Sequence, residues 1–251
     1  MSSTTDSKIT HRFFSKPIFF ILFSALFVFL FPAIWLNSAS SDAFRTDLKH
    51  LILDELSYTN PLPSGSKVDA IYVLGGSQTN LEFKYKTASE LYHKGICKRI
   101  WILSRPGITE YSVSLGRNLT NNEWSILKLT EFGVPSECIE PIKIKEGFFG
   151  TFTEAKGISS LVEKRGYKSL LLISSPEHLY RAEISFDNFL KDQNISIYAC
   201  PACPVGRNYR TGVKSSFYLT GVKGSGERDV LLRDLLVEFI KLKVYQYLLV
   251  R

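Results

Sequence analysis

Residues 170–182 read LLLISSPEHLYRA. The run Leu170 to Ile173 is apolar on both of its faces, as a strand inside a parallel sheet must be. It stops abruptly at Ser174-Ser175-Pro176. A helix opens there, with Ser175 placed to cap it and Pro176 at the first helical position, where no N–H is needed. His178 and Arg181 then fall on one helical face, beside the free N–H groups of the first turn. An imidazole, a guanidinium and a helix N-terminus around one point suit a bound anion.

Outward from this stretch, strand-like and helix-like segments alternate. Residues 68–74 (VDAIYVL) form a β-rich run closed by Gly75 and Gly76, and residues 81–94 carry helical spacing up to a stop at Gly95. Residues 99–103 (RIWIL) are a second strand, ending at Ser104-Arg105-Pro106-Gly107. Helices are expected over 120–132 and 151–165, each opening on the T-x-x-E spacing of a capping box: Thr120 with Glu123, and Thr151 with Glu154. A short strand over 139–142 lies between them. After the helix 178–190 come a fifth strand, 195–199, and a loop to Gly226. The last element is a long helix over 227–248, with Leu231, Leu235, Phe239 and Leu242 in one apolar stripe. The alternation predicts an α/β fold: a doubly wound, mainly parallel five-stranded sheet flanked by helices. Such sheets bind ligands beyond the carboxyl ends of their strands, at a switch point. That rule gathers Gly75, Gly76, Ser104, Thr151, Ser174, Ser175 and His178 into one place.

The N-terminus has a different character. Residues 17–36 are apolar except for Ser24, and no charge lies between Lys16 and Asp42. Twenty residues at ~1.5 Å each span a hydrocarbon core of about 30 Å. Trp35 stands where an interfacial aromatic belongs, and Lys8, Arg12 and Lys16 all precede the run, which puts the N-terminus in the cytoplasm. The run is longer than the ~7–15 residues of a signal-peptide core, favouring an uncleaved anchor despite the small-residue site at Ser38-Ala39-Ser40. The expected organisation is a tail (1–16), a single-pass anchor (17–36), a juxtamembrane helix and Pro/Gly/Ser linker (37–66) and an extracytoplasmic α/β domain (67–251). In a bacterium that places the chain at the inner or plasma membrane.

The net charge of +7 invites a nucleic-acid reading, but Lys and Arg are scattered and no aromatic-basic module appears. No nucleic-acid partner is expected. Cys200 and Cys203 have C-x-x-C spacing. Without a second such pair or a nearby His they make no zinc site, and a disulfide or idle thiols are the readings left. No metal site is assigned, and the residues identify neither a cofactor nor an oligomeric state.

These segments resemble the SanA/ElyC/YdcF-type family, a domain long described as of unknown function. The matching elements are DAIYVLGG at 69–76 and Lys84, Ala88, Leu91-Tyr92 and Gly95 in the next helix. Ser104 with Gly107, Glu123, Gly133-Val134-Pro135 and TFTEA at 151–155 continue the pattern. The His-x-x-Arg-Ala element at 178–182 is the most specific part, and Glu238 on the terminal helix completes it. Two departures are visible: Lys84 stands where the family has Arg, and Arg105-Pro106 displaces the glycine of the Ser-Gly loop. The resemblance implies a Rossmann-like fold, often on a single N-terminal anchor, with a role in envelope biogenesis or barrier integrity. It supplies no chemistry.

His178 is the candidate for acid/base work, since histidine changes charge nearest neutral pH. Arg181 is the candidate clamp for a phosphate or carboxylate, with the Gly75 and Gly76 amides assisting. Glu123, Thr151 and Glu154 each have a full explanation as helix caps, and act on a ligand only if they point into the cleft. Lys84 has its family position to recommend it. Glu238 on an apolar face needs a partner, for which Arg181 is available. The expected ligand is a small anionic or lipid-linked molecule bearing phosphate. The expected function is an envelope protein that binds it, with phosphoester hydrolysis or transfer as the enzymatic version. A non-enzymatic assembly or sensing factor is the alternative. A type II membrane glycosyltransferase lacks its D-x-D motif here, and an S-adenosylmethionine-binding transferase has fold analogy alone behind it.

Overall fold

The computed structural model describes residues 42–56, 59–145, 150–202 and 232–249. The chain divides into two units, 1–48 and 49–251. Of the first, only the opening of helix α1 (Asp42–Leu56) is described. The apolar run 17–36 and the tail before it lie outside the described residues. Among the described residues, no helix is long and apolar enough to cross a membrane.

The second unit is α/β. Its elements run β1 (Ala70–Val73), α2 (Gln78–His93), β2 (Ile100–Ser104), β3 (Ile108–Ser112), β4 (Arg117–Thr120), α3 (Asn121–Glu131) and β5 (Ile139–Lys143). Beyond these lie α4 (Gly150–Lys164), β6 (Ser169–Ser174), α5 (Pro176–Leu190), β7 (Ser196–Pro201) and α6 (Leu232–Leu249). Five strands form one sheet in the order β5-β2-β1-β6-β7, every pair parallel, the Rossmann-like order. Pro141 of β5 donates no N–H to the ladder, which an edge strand tolerates.

The two-residue period of the strands sorts the core into two layers. Ile71, Val73, Ile100, Ile102, Leu171 and Ile173 pack with Tyr85 and Ala88 of α2 and Trp124 and Leu129 of α3. Tyr72, Leu74, Trp101, Leu170 and Leu172 pack with Ile158 and Val162 of α4 and Leu179, Ala182 and Phe186 of α5. The strand pattern in the sequence is continuous rather than alternating because both faces of the sheet are covered.

The expected five strands are present, and the sheet is parallel throughout. The loop expected after 99–103 instead contains the antiparallel pair β3–β4. Its apolar residues Ile108, Tyr111, Val113 and Leu115 are exposed and only Leu119 is buried, so no alternating apolar face marks it in the sequence. Helix α2 begins at Gln78, before the expected 81, after Ser77 in extended conformation. The capping box at Thr120 and Glu123 is formed on both sides. The one expected at Thr151 and Glu154 is not: α4 begins at Gly150, which leaves Thr151 inside the first turn, and Glu154 is engaged elsewhere. Pro176 opens α5 as expected, but the Ser175 hydroxyl makes no capping bond and is buried without a partner. In α6, Leu235 and Leu242 of the expected stripe are buried.

The linker before β1 is fastened to the outer edge of the sheet. The Asn60 carbonyl accepts from the Ala199 N–H at 2.9 Å, and its amide Nδ2 donates to the Ile197 carbonyl at 2.8 Å. This covers part of the open edge of β7, whose unpaired backbone groups would otherwise face water. The Asn60 N–H donates to both carboxyl oxygens of Glu183 on α5, at 2.9 and 3.1 Å. Burial pushes the Glu183 carboxyl up to about 7; the Asn60 N–H opposes the rise and Asp187 adds to it.

A carboxyl raised in the folded state favours its protonated form. Its contribution to stability is therefore whole below its ordinary 4.5 and is lost as pH climbs toward about 7. Glu183→Gln should flatten that decline in urea unfolding followed across the same window. Leu172→Ala, in the fully covered strand β6, should cost about 2–5 kcal/mol. Thr120→Ala should cost only about 1 kcal/mol.

Candidate functional site

From β1 the chain steps outward to β2 and β5, then crosses back to β6 and β7. The strand order therefore reverses between β1 and β6, and the loops leaving these two strands part there to opposite faces of the sheet. The loop after β1 holds Gly75 and Gly76; the turn after β6 holds Ser174 and Ser175 and delivers His178 at the start of α5.

At the end of β1, Glu154 reaches in from α4. Its Oε1 accepts from the Tyr72 hydroxyl at 2.6 Å and from the Gly75 N–H at 3.1 Å. Burial, followed by the Glu154 charge and hydrogen bond, holds the Tyr72 phenol well above its ordinary value, so it stays a neutral donor. Lys84, buried on α2, donates through Nζ to the carbonyls of Leu74 at 3.1 Å and Gly75 at 2.9 Å. Burial brings its ammonium down to about 8, against the pull of Glu154 and Glu177. A Cβ added at Gly75 would meet the Arg105 guanidinium and the Leu103 side chain, whose ends would have to move aside. At Gly76, the same atom would lie 3.2 Å from Lys84 Nζ.

At the end of β6, Arg181 and Glu238 meet. Arg181 is only 9% exposed, and its guanidinium donates to Glu238 Oε2 at 2.9 Å and to Thr151 Oγ1 at 2.5 Å. Its Nε is buried with no hydrogen-bond partner. His178 Nδ1 lies 2.8 Å from the same Glu238 oxygen, and Lys241 Nζ is 2.6 Å from the other. Burial alone would raise the Glu238 carboxyl. The His178 hydrogen bond and charge, with Arg181 and Lys241, override it and bring the group down to about 2. An ionised carboxylate accepts only, so Nδ1 carries the proton, and its 3.3 Å approach to Arg181 is no hydrogen bond. Nε2, on a side chain about one-third exposed, faces Glu177 Oε1 at 3.8 Å. This is a histidine oriented by a carboxylate beside a guanidinium at a helix N-terminus, an arrangement able to exchange a proton next to a bound anion.

The expected residues thus divide. His178, Arg181, Thr151 and Glu238 form one hydrogen-bonded cluster; Gly75, Lys84 and Glu154 form another at the neighbouring strand end, with Gly76 beside Lys84. Buried Ser174 ends β6, its carbonyl accepting from the Ala202 N–H at 2.7 Å. Ser175, next in the chain, caps α5 in position only. Ser104 stands one strand further out, its Oγ accepting from Asn122 Nδ2 at 2.9 Å. Glu123 belongs to neither cluster. Arg117 grips it through two hydrogen bonds, at 2.8 and 2.6 Å, and with Thr120 brings its carboxyl down to about 2. Cys200 lies in β7, and Cys203, with the C-x-x-C reading, falls outside the described residues.

Tyr72 and Arg105 join the site without having been singled out from the sequence. A charge in the loop directly after a strand was the available signal for Arg105. Tyr72, inside an apolar strand, gave none. Among the described residues, no three His, Cys, Asp or Glu side chains are grouped to hold a metal ion. No protein-family model matches the chain, and no curated protein is significantly similar to it.

A carboxylate lowered in the folded state contributes stability that is whole above its ordinary 4.5 and lost as pH falls toward about 2. Glu238→Gln leaves Arg181 buried without a counter-charge and should cost about 3–5 kcal/mol at neutral pH. Urea unfolding should show that gap to wild type closing as pH falls through the same window.

Proposed function

We propose that this chain is a membrane-anchored envelope protein of SanA/ElyC/YdcF type. Its extracytoplasmic domain binds a phosphate-bearing small molecule or lipid head group at the switch point and hydrolyses its phosphoester. The observation that carries the reading is the Glu238–His178–Arg181 cluster, with Nε2 of the partly exposed imidazole beside the α5 N-terminus. The anchor is supported by the charge-free run 17–36, apolar except for Ser24, and the envelope role by the resemblance at 69–76 and 178–182.

In the reaction, His178 Nε2 takes a proton from water as the water oxygen bonds to phosphorus. The phosphorus–oxygen bond to the leaving group breaks, the leaving oxygen takes the electron pair, and the imidazolium returns the proton to it. Glu238 holds the imidazole in the tautomer that permits this and steadies its charged form. Arg181, Lys84 and the Glu177 N–H in the first turn of α5, where Pro176 has no N–H and that of His178 is bonded to Ser175, oppose the negative charge gathering on the phosphoryl oxygens. One observation favours a non-catalytic assembly or sensing factor instead: two of the three Arg181 nitrogens are already engaged, by Thr151 and Glu238.

The test is binding and turnover by the full-length chain in detergent. The panel holds inorganic phosphate, phosphomonoesters, lipid diphosphates, nucleotide sugars and S-adenosylmethionine. For a hydrolase, His178→Ala should lower turnover by about 10²–10⁴-fold with binding kept, and Arg181→Ala should weaken binding itself. Anion binding that survives His178→Ala, with no turnover in any variant, identifies the assembly factor. Failure of every phosphate-bearing compound to bind rejects both.

A further inference from the structure

We infer that the outward face of α6 seats on the surface of the lipid bilayer; the inference rests on the anchor reading above. The helix has two faces. Leu235, Glu238, Leu242 and Tyr245 are buried against the domain. Opposite them, Leu236, Val237, Ile240, Val244, Tyr247 and Leu248 are exposed, Ile240 to 60% and Tyr247 to 65%. Single exposed apolar residues are ordinary, but a contiguous stripe along one helix marks an interaction surface. Part of it is a shallow, largely apolar groove along Phe239, Ile240, Val244 and Leu248.

Two observations choose the bilayer as the occupant. From 239 to 249 the helix carries Lys241 and Lys243 and no acidic residue; each ammonium pairs on its inner side with a carboxylate, Glu238 or Glu55, and the half of each side chain left exposed complements an anionic head-group layer. An apolar face with a tyrosine and flanking lysines is the composition of a helix lying in a membrane interface. Chain length supplies the second. Lys243 Nζ pairs with Glu55 of α1 at 2.7 Å. Only residues 37–41 separate the apolar run from the start of α1, a reach of roughly 20 Å even fully extended. Glu55 lies 13 residues beyond the start of α1, ~20 Å further along the helix, so the chain limits the α6 contact to within about 40 Å of the apolar run. Glu238 projects from the inner face of α6 to His178, so seating the outer face would hold the candidate site about one helix diameter, ~10 Å, from the head groups.

The test places the photoreactive residue p-benzoylphenylalanine at position 240, 244 or 247 of the full chain, with position 127 on α3, also exposed, as control. The protein is reconstituted in vesicles of phosphatidylethanolamine and phosphatidylglycerol and irradiated. Lipid adducts at 240, 244 and 247, several-fold above those at 127, are the expected result. Adducts to a second copy, adducts to residues 1–41 of the same chain, or lipid labelling no higher than at 127 would each overturn the inference. Alkaline carbonate extraction of the unmodified chain tests the anchor separately. Release from the vesicles rejects the anchor whatever the adducts show, and retention without lipid adducts rejects only the seating of α6.

Discussion

A buried guanidinium and a buried carboxylate, Arg181 and Glu238, make each other tolerable. Leaving either charge buried alone costs about 3–5 kcal/mol, a large share of a domain's stability, and their pairing at 2.9 Å offsets that loss. The pair joins α5 to α6 and so joins the central strand–turn–helix stretch to the C-terminal helix. Because Glu238 is held ionised, His178 beside it is fixed in one tautomer and one orientation. Thr151, the other partner of the guanidinium, brings the first turn of α4 to the same point. Three helices thus converge on one charge cluster at the end of β6.

The neighbouring strand end is organised on the same principle with different groups. There Glu154 occupies the Gly75 amide and the Tyr72 hydroxyl, while Lys84 satisfies the carbonyls of Leu74 and Gly75. The side chains fix the path of the glycine loop, and the absence of a Cβ at Gly75 lets Arg105 lie over it. Arg105 and Lys84 on one side and Arg181 on the other flank the reversal of strand order, with Glu154, Glu177 and Glu238 set among them. Opposite charges therefore alternate across the switch point.

The fold was legible because its signals are local. Apolar runs closed by Gly, Ser or Pro mark four of the five parallel strands, β5 being the exception, and the capping box at Thr120 and Glu123 marks a helix start within a four-residue window. The β3–β4 pair was not legible, since all its apolar residues but Leu119 face water and its partner strand, not its own pattern, makes it a strand. The T-x-x-E pair at Thr151 and Glu154 shows the opposite failure. Its spacing matches a cap, yet Glu154 finds a tyrosine hydroxyl and a glycine amide at the end of β1. A carboxylate goes where its hydrogen bonds are best satisfied, and four residues of sequence do not contain Tyr72.

The candidate site divides along the same line. By itself the sequence determined that His178 and Arg181 share a helical face at the N-terminus of α5, because three residues of helix fix that relation whatever surrounds it. It also determined that the glycine pair and the serine turn come directly after strand ends in a parallel sheet, where ligands gather. Only the tertiary structure decided that Glu238 is their common partner, that Thr151 binds Arg181 and Glu154 binds Gly75, and that Glu123 stands apart. The physical reason is range. Backbone geometry and helix capping act within a few residues, whereas a buried charge takes its counter-charge from whatever element packing brings within about 3 Å, and for Arg181 that element lies 57 residues away.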